Sequence, residues 1–322
     1  MSFPALWIRL IVSGIRLKKI TSGHIILSDD DLLVFAHVRN ELSRLPHFLS
    51  YYRSKGVSKF FFIDNNSDDG TAQFLLSQSD AYVFKTNESF SRARGGATWW
   101  EILLRKYGDN KWCLVIDIDE ILVYPHWEEM SIRDLCRFLG SERKDGMKAM
   151  MLDMYADKFS VIKGSENKPL WEIFNYFDKD SHYLKSFLGG FVPYGGVRKR
   201  VFDSDACLHK IPLIKYSKKM IFRSKHSIYN IHLSLLESVL LHFKFDALFF
   251  GKVLIESKRG EYWENGKHYK KYLERINRKP LLTLYDPEHS VKFENSQQLV
   301  RMNMMKTSEE FEKYVHQRFS KI

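Results

Sequence analysis

The chain has 322 residues, 44% hydrophobic and 28% charged, with 50 Lys and Arg against 39 Asp and Glu, a net charge of +11 and a pI near 9.3. This composition suits a globular protein with a sizeable core, excludes a disordered or collagen-like chain, and favours anionic partners. Its three scattered cysteines, Cys113, Cys136 and Cys207, make neither a disulfide framework nor a zinc pattern and point to a reducing cytosol, and no apolar run is long enough for a membrane span.

Residues 1–20 carry Arg9, Arg16, Lys18 and Lys19 but no acid. Arg9 interrupts the apolar core that a secretory signal would need. Wound as a helix, the segment places Arg9, Ser13, Arg16 and Lys19 or Ile20 on one side, with Leu6, Leu10 and Leu17 elsewhere. Two readings stand side by side: a helix lying on an anionic membrane, or a basic-edged helix packed on its own domain.

From Asp31 to Val38 the chain reads as a buried strand, followed by Arg39-Asn40-Glu41 and a helix that Gly56 stops. Phe60–Ile63 is a second strand, ending in the polar loop from Asp64 to Thr71. A helix from Thr71, a third strand over Ala81–Lys85 and a helix from Ala97 to about Tyr107 precede a fourth apolar run, Trp112–Ile116. This alternation predicts an α/β fold with a mostly parallel sheet flanked by helices. After Met147 the strands shorten, with Gly195-Gly196 as a turn. From Leu233, the spacing of Leu236, Leu240, Phe243, Ala247, Phe250 and Leu254 predicts a helix, and a final helix follows Ser308. The resulting division is an N-terminal amphipathic segment (1–30), a sheet domain (31–232) and a helical C-terminal extension packed on the same domain (233–322).

The Trp112–Ile116 run stops at Asp117-Ile118-Asp119-Glu120. In a strand Asp117 and Asp119 would share a face about 7 Å apart. Their repulsion calls for a raised pKa or a bound cation, and open α/β sheets bind ligands at this edge. A divalent metal, Mn2+ or Mg2+, beside a phosphate-bearing substrate follows as the expectation. The Asp64–Gly70 loop lies at the same edge, where a carboxylate could meet a base or ribose, although such residues are also common as turns and caps.

Three segments together, Val38-Arg39-Asn40-Glu41, Phe62-Ile63-Asp64-Asn65-Asn66-Ser67-Asp68-Asp69-Gly70-Thr71 and Val115-Ile116-Asp117-Ile118-Asp119-Glu120, resemble the glycosyltransferase family 2-like proteins of the GT-A fold. Gly195-Gly196-Val197-Arg198-Lys199-Arg200-Val201-Phe202, Lys210-Ile211-Pro212-Leu213, Ser224-Lys225-His226, Leu240-Leu241-His242-Phe243-Lys244-Phe245 and Arg259-Gly260-Glu261-Tyr262-Trp263 resemble a bacterial subgroup of them. The resemblance implies a Rossmann-like GT-A sheet and an inverting transfer from a nucleoside diphosphate sugar to an acceptor hydroxyl in surface polysaccharide or glycolipid assembly. It implies Asp64 at the base, Asp117 at the ribose and Asp119 at the metal, with Arg39, Asn40, Glu41 and Asn66 beside the donor. Glu120 departs from the commoner aspartate.

On one strand face, Arg198 and Arg200 could meet phosphate oxygens, or form a solvated basic edge. His226 and His242 are further candidate metal ligands, although a lone histidine is more often structural. Base candidates are Glu237, Asp246 and Glu256, with Asp205 weaker. The expected partners are the nucleotide-sugar donor, a glycan or lipid-linked acceptor and an anionic membrane surface, with no nucleic acid. The expected location is cytoplasmic, peripheral on the inner face of the membrane. Two rivals remain: a haloacid dehalogenase-type phosphohydrolase with Asp117 as nucleophile, and a non-catalytic binding module using Lys267, Lys270, Lys271, Arg275, Arg278 and Lys279, a run that is also the pattern of a solvated helix face.

Overall fold

The structure, a computed structural model, describes residues 3–157, 168–187, 190–246, 248–279 and 282–319. One large sheet contains β1 (Lys18–Lys19), β2 (Leu33–Val38), β3 (Lys59–Asp64), β4 (Ala81–Lys85), β5 (Trp112–Val115), β6 (Glu120–Val123), β7 (Gly146–Asp153), β8 (His209–Lys215) and β9 (Leu233–His242). Their order is β1-β4-β3-β2-β5-β8-β7-β9-β6. Strands β2 to β5 run parallel, β8 is antiparallel to both its neighbours, and β9 is parallel to β7. Antiparallel β1 and β6 close the edges. The sheet is therefore mixed rather than mostly parallel. Strand–helix alternation specifies parallel pairing only in the first half; the later strands lack the regular crossover helices that would enforce it.

In β2, β3 and β5 the two-residue period separates two cores instead of core from solvent. Val34, Ala36, Phe60, Phe62 and Leu114 bury on one face, against α2 (Leu45–Ser54) and α4 (Ile132–Ser141). Leu33, Phe35, Phe61, Ile63, Cys113 and Val115 bury on the other with Trp99 and Trp100 of α3 (Ala97–Leu103). Ser131 supplies a full capping box to α4, which fixes where that helix starts.

Two secondary-structure expectations fail. Leu233–His242 is a strand, because β7 and β6 flank it and its buried Val239-Leu240-Leu241 run needs no helical face. A short apolar run cannot by itself distinguish these states. Helix resumes in α6 (Phe249–Arg259) and α7 (Trp263–Arg278), so the expected C-terminal extension contributes an internal strand; Ala247 lies outside the described residues. Arg198 and Arg200 fall in the short helix α5 (Val197–Phe202), not on one strand face. The basic run on α7 is partly paired, Lys267 with Glu264, Lys271 with Asp203 and Arg278 with Glu274, as befits a solvated face.

The N-terminal helix α1 (Phe3–Arg16) packs on α3. Its Ser13 is fully buried and donates to Glu88 at 2.9 Å. No described helix is long and apolar enough to cross a membrane.

Candidate functional site

Strand β2 pairs with β3 on one side and β5 on the other, so the chain reverses its direction of travel across the sheet at β2. Beyond the carboxyl ends of strands at such a switch point the connections diverge and leave a crevice. Here it encloses about 130 Å³ and is lined in part by His37, Arg39, Asp117, Asp119, Lys225 and His242. Lys244 and Lys252, with Glu256, Arg259, Tyr262 and Tyr269 of α6 and the segment after it, form another wall.

Asp117 and Asp119 do not extend β5. The strand ends at Val115 and the chain turns, with the Glu120 amide donating to the Asp117 carbonyl at 3.2 Å. Buried Glu120 reaches back and accepts from the Asp117 amide at 3.1 Å. The two aspartates thus acquire separate environments. Lys210 of β8 donates to Asp117 Oδ2 at 2.7 Å and also pairs with Glu120, while Lys225 donates to Asp117 Oδ1 at 3.0 Å. Burial alone would push the Asp117 carboxyl up, but these two ammonium groups hold it well below the usual range. Burial instead dominates for Glu120 and raises its pKa. His37 completes the cluster with Nε2 3.2 Å from Asp117. Burial and Lys225 push its pKa down to about 3, so the ring is neutral. Gly96 makes room for it: a Cβ there would sit 3.0 Å from His37 Nδ1, and the residue's φ of +88° favours glycine in any case.

Asp119 faces a different group. His242, at the end of β9, places Nε2 3.3 Å from Asp119 Oδ2 and Nδ1 2.5 Å from Asp153 Oδ1. Arg198 donates to Asp153 at 2.6 Å. Burial would depress His242, but Asp119 and Asp153 overrule it and raise its pKa. Burial likewise opposes ionisation of Asp153, and Arg198 and His242 bring its pKa down to about 2. A histidine with one ring nitrogen on a carboxylate and the other beside a second acidic group is the usual posture of an oriented metal ligand. Asp119, Glu120 and His242 offer donor atoms within 4.8 Å of one another. Glu120 is already bound to Lys210, so Asp119 and His242 are the pair that fits a divalent ion. Two protein ligands suffice where substrate oxygens complete the shell. Asp117 is already neutralised by lysines and does not need one.

On the rim, Arg39 donates to the Asn65 carbonyl at 2.8 Å and Lys244 to the Tyr269 hydroxyl at 3.0 Å. Among the described residues neither has a carboxylate within ion-pair distance, so both charges are directed to the crevice or solvent. Lys252 is tied to Glu41, and Arg259 to Glu256.

Of the residues singled out from sequence, Arg39, Glu41, Asp117, Asp119, His242 and Glu256 converge on this crevice. Asp64 does not line it: it is fully buried, accepts from the Ser67 amide at 3.1 Å, and leaves Oδ2 without a partner, while neighbouring Asn65 reaches the crevice. Asn40 and Asn66 lie exposed on the adjoining loops in left-handed conformation, Asn40 bonded to Asp68 at 2.7 Å. Asp246 is occupied by Arg44. Arg200 pairs with Asp178 and Arg198 with Asp153, so both arginines expected at a phosphate are drawn into carboxylate pairs, and neither lines the crevice. His226 and Glu237 line a separate cavity of about 690 Å³, His226 against the His209 carbonyl and Glu237 against Lys306. Asp205 pairs with Tyr183 and Lys185 outside the crevice.

Sequence reasoning assigned no role to His37, Asp153, Lys210, Lys225 or Lys244. A signal existed for two of them: Asp153 ends a largely apolar strand just as Asp117 follows one, and Lys210 stands directly before the apolar run Ile211-Pro212-Leu213-Ile214. No protein-family model matches the chain, and no curated protein matches its sequence.

Proposed function

We propose that this chain is a metal-dependent, inverting glycosyltransferase of the GT-A fold, which moves a sugar from a nucleoside diphosphate sugar to an acceptor hydroxyl. The observation that carries the reading is the Asp119–His242–Asp153–Arg198 chain opening on the switch-point crevice beside Arg39 and Lys244. That pairing of a divalent-cation donor set with uncompensated positive charge suits a diphosphate.

Asp119 and His242 would hold the ion, which when bound supplies Lewis-acid stabilisation of the departing diphosphate, worth several kcal/mol. Arg39 and Lys244 would bind phosphate oxygens, and Asp153, fixed by Arg198, would keep the His242 ring oriented. About 130 Å³ fits a diphosphate, whereas a whole ligand of this class takes roughly 300–1,000 Å³. The nucleoside would therefore extend over the exposed Asn40 and Asn66 loops. Glu256 is the one of the three base candidates on the crevice wall; Arg259 bonds both its oxygens, and it would accept the acceptor proton in exchange for one of those bonds. The acceptor oxygen then bonds to the anomeric carbon as the bond to the diphosphate oxygen breaks, and the diphosphate leaves with that electron pair. Direct attack inverts the centre. A phosphohydrolase nucleophile at Asp117 is disfavoured, because Lys210 and Lys225 already occupy both its oxygens.

The test is a panel of nucleotide sugars with Mn2+, read by thermal shift and by turnover. Asp119→Asn should lose metal-dependent donor stabilisation with its fold intact, while Glu256→Gln should keep it and lose about 10²–10⁴-fold in rate. Unchanged donor stabilisation and turnover in Asp119→Asn would refute the assignment.

A further inference from the structure

Helix α1 has two opposed apolar faces. Leu10, with Ser13 and partly buried Leu17, turns inward onto the domain, where Ser13 bonds to Glu88. Ile8, Ile11, Val12 and Ile15 turn outward, and Ile8, Ile11 and Ile15 are 64%, 61% and 74% exposed, while Trp7 at the stripe's edge lies under the Arg105 guanidinium. Their i, i+3, i+4, i+7 spacing makes this a continuous stripe rather than scattered apolar residues. A helix whose only task was to pack on the domain would have no use for it. At 3.6 residues per turn, Arg9 and Arg16 fall together on one flank of the stripe, Arg16 paired with Glu88 at 3.9 Å, and Lys18 follows just beyond the helix. The helix carries no acidic residue in its first turn, and residues 3–19 contain none at all.

We propose that the outward face of α1 seats this protein on an anionic lipid surface, with the isoleucines entering the acyl boundary and Arg9 and Lys18 meeting lipid phosphates. An apolar stripe bordered by cations is the pattern of an interfacial helix. The charge argues for anionic lipid over a second copy of the chain, because two copies meeting through this face would bring their cations together. The inward contacts hold the helix against the domain, so the surface is displayed by the folded protein. This inference is independent of the glycosyl-transfer reading.

The full chain is sedimented with vesicles of phosphatidylcholine alone and with vesicles containing phosphatidylglycerol. Binding should favour the anionic vesicles and weaken with salt. Ile8→Ser/Ile11→Ser/Ile15→Ser should lose ~10-fold or more of it, with an unchanged circular dichroism spectrum and Tm. Arg9→Gln/Lys18→Gln should lose roughly fivefold per cation on anionic vesicles only. The proposal is overturned if the triple variant binds like the parent, or if neutral and anionic vesicles bind equally. It is also overturned if the parent ignores vesicles and forms a dimer that the triple variant does not.

Discussion

Lys210 is the ammonium group that lets two buried carboxylates coexist at the end of β5, and its removal is the sharpest test of the site's electrostatics. Lys210 is 3% exposed and Glu120 1%. At 2.7 Å from Asp117 and an effective dielectric near 20, the Coulomb attraction is roughly 6 kcal/mol, and the contact with Glu120 adds to it. Desolvating three charged groups offsets most of that, so the net worth of the cluster is small. Lys210→Met keeps the aliphatic stem but strands Glu120 and leaves Asp117 to Lys225 alone, and breaking a buried pair in this way costs about 3–5 kcal/mol. Urea unfolding near neutral pH reads this as a lower midpoint with an unchanged m-value. The sign of the pH response follows from Glu120, whose pKa is already raised. A carboxyl with a folded pKa above its unfolded one takes up a proton on folding, so the variant's stability deficit shrinks as pH falls through that window. Adding Glu120→Gln should recover much of the loss, since the two positions share one network. A Lys210→Met protein within about 1 kcal/mol of the parent would show that the cluster is not held by this charge.

Two further outcomes follow from the buried titratable groups. Burial pushes the His226 and His209 pKa values down to about 4, so between about pH 6.5 and 4 the unfolded chain binds protons that these rings refuse. Stability then falls on acidification, by about 3 kcal/mol at most from His226. His242 works in the opposite sense: its contribution is complete below about pH 6.5 and is lost as pH rises through its raised value. A flat stability profile from pH 7 to 4.5, measured by urea titration, would contradict the neutral burial of these imidazoles. Arg198→Gln leaves Asp153 buried without its cation, and should destabilise the fold by about 3 kcal/mol while weakening Mn2+-dependent stabilisation by nucleotide sugars. The same metal response in the variant as in the parent would remove Arg198 from the chain that positions His242.

The parallel half of the sheet was legible in the sequence because each of its strands is a short apolar run closed by polar residues, and a strand buried on both faces reads as such a continuous run. The carboxylates at the end of β5 were legible for the same reason: abrupt acidity after a buried run has few structural uses. Local pattern left the later strands undecided. Leu233–His242 carries an apolar spacing that fits a helix, and only its insertion between β7 and β6 makes it a strand. The partners of the two aspartates were equally out of reach. Lys210 lies 93 residues from Asp117, and His242 stands 89 residues from Asp153, yet these contacts decide which carboxylate is neutralised by lysine and which is left to a metal. By itself the sequence determined that two acidic groups would meet at the edge of a buried sheet. The tertiary structure decided what each would face, because in a low-dielectric crevice the nearest counter-charge sets a carboxylate's state, and that neighbour is supplied by topology rather than by adjacency in the chain.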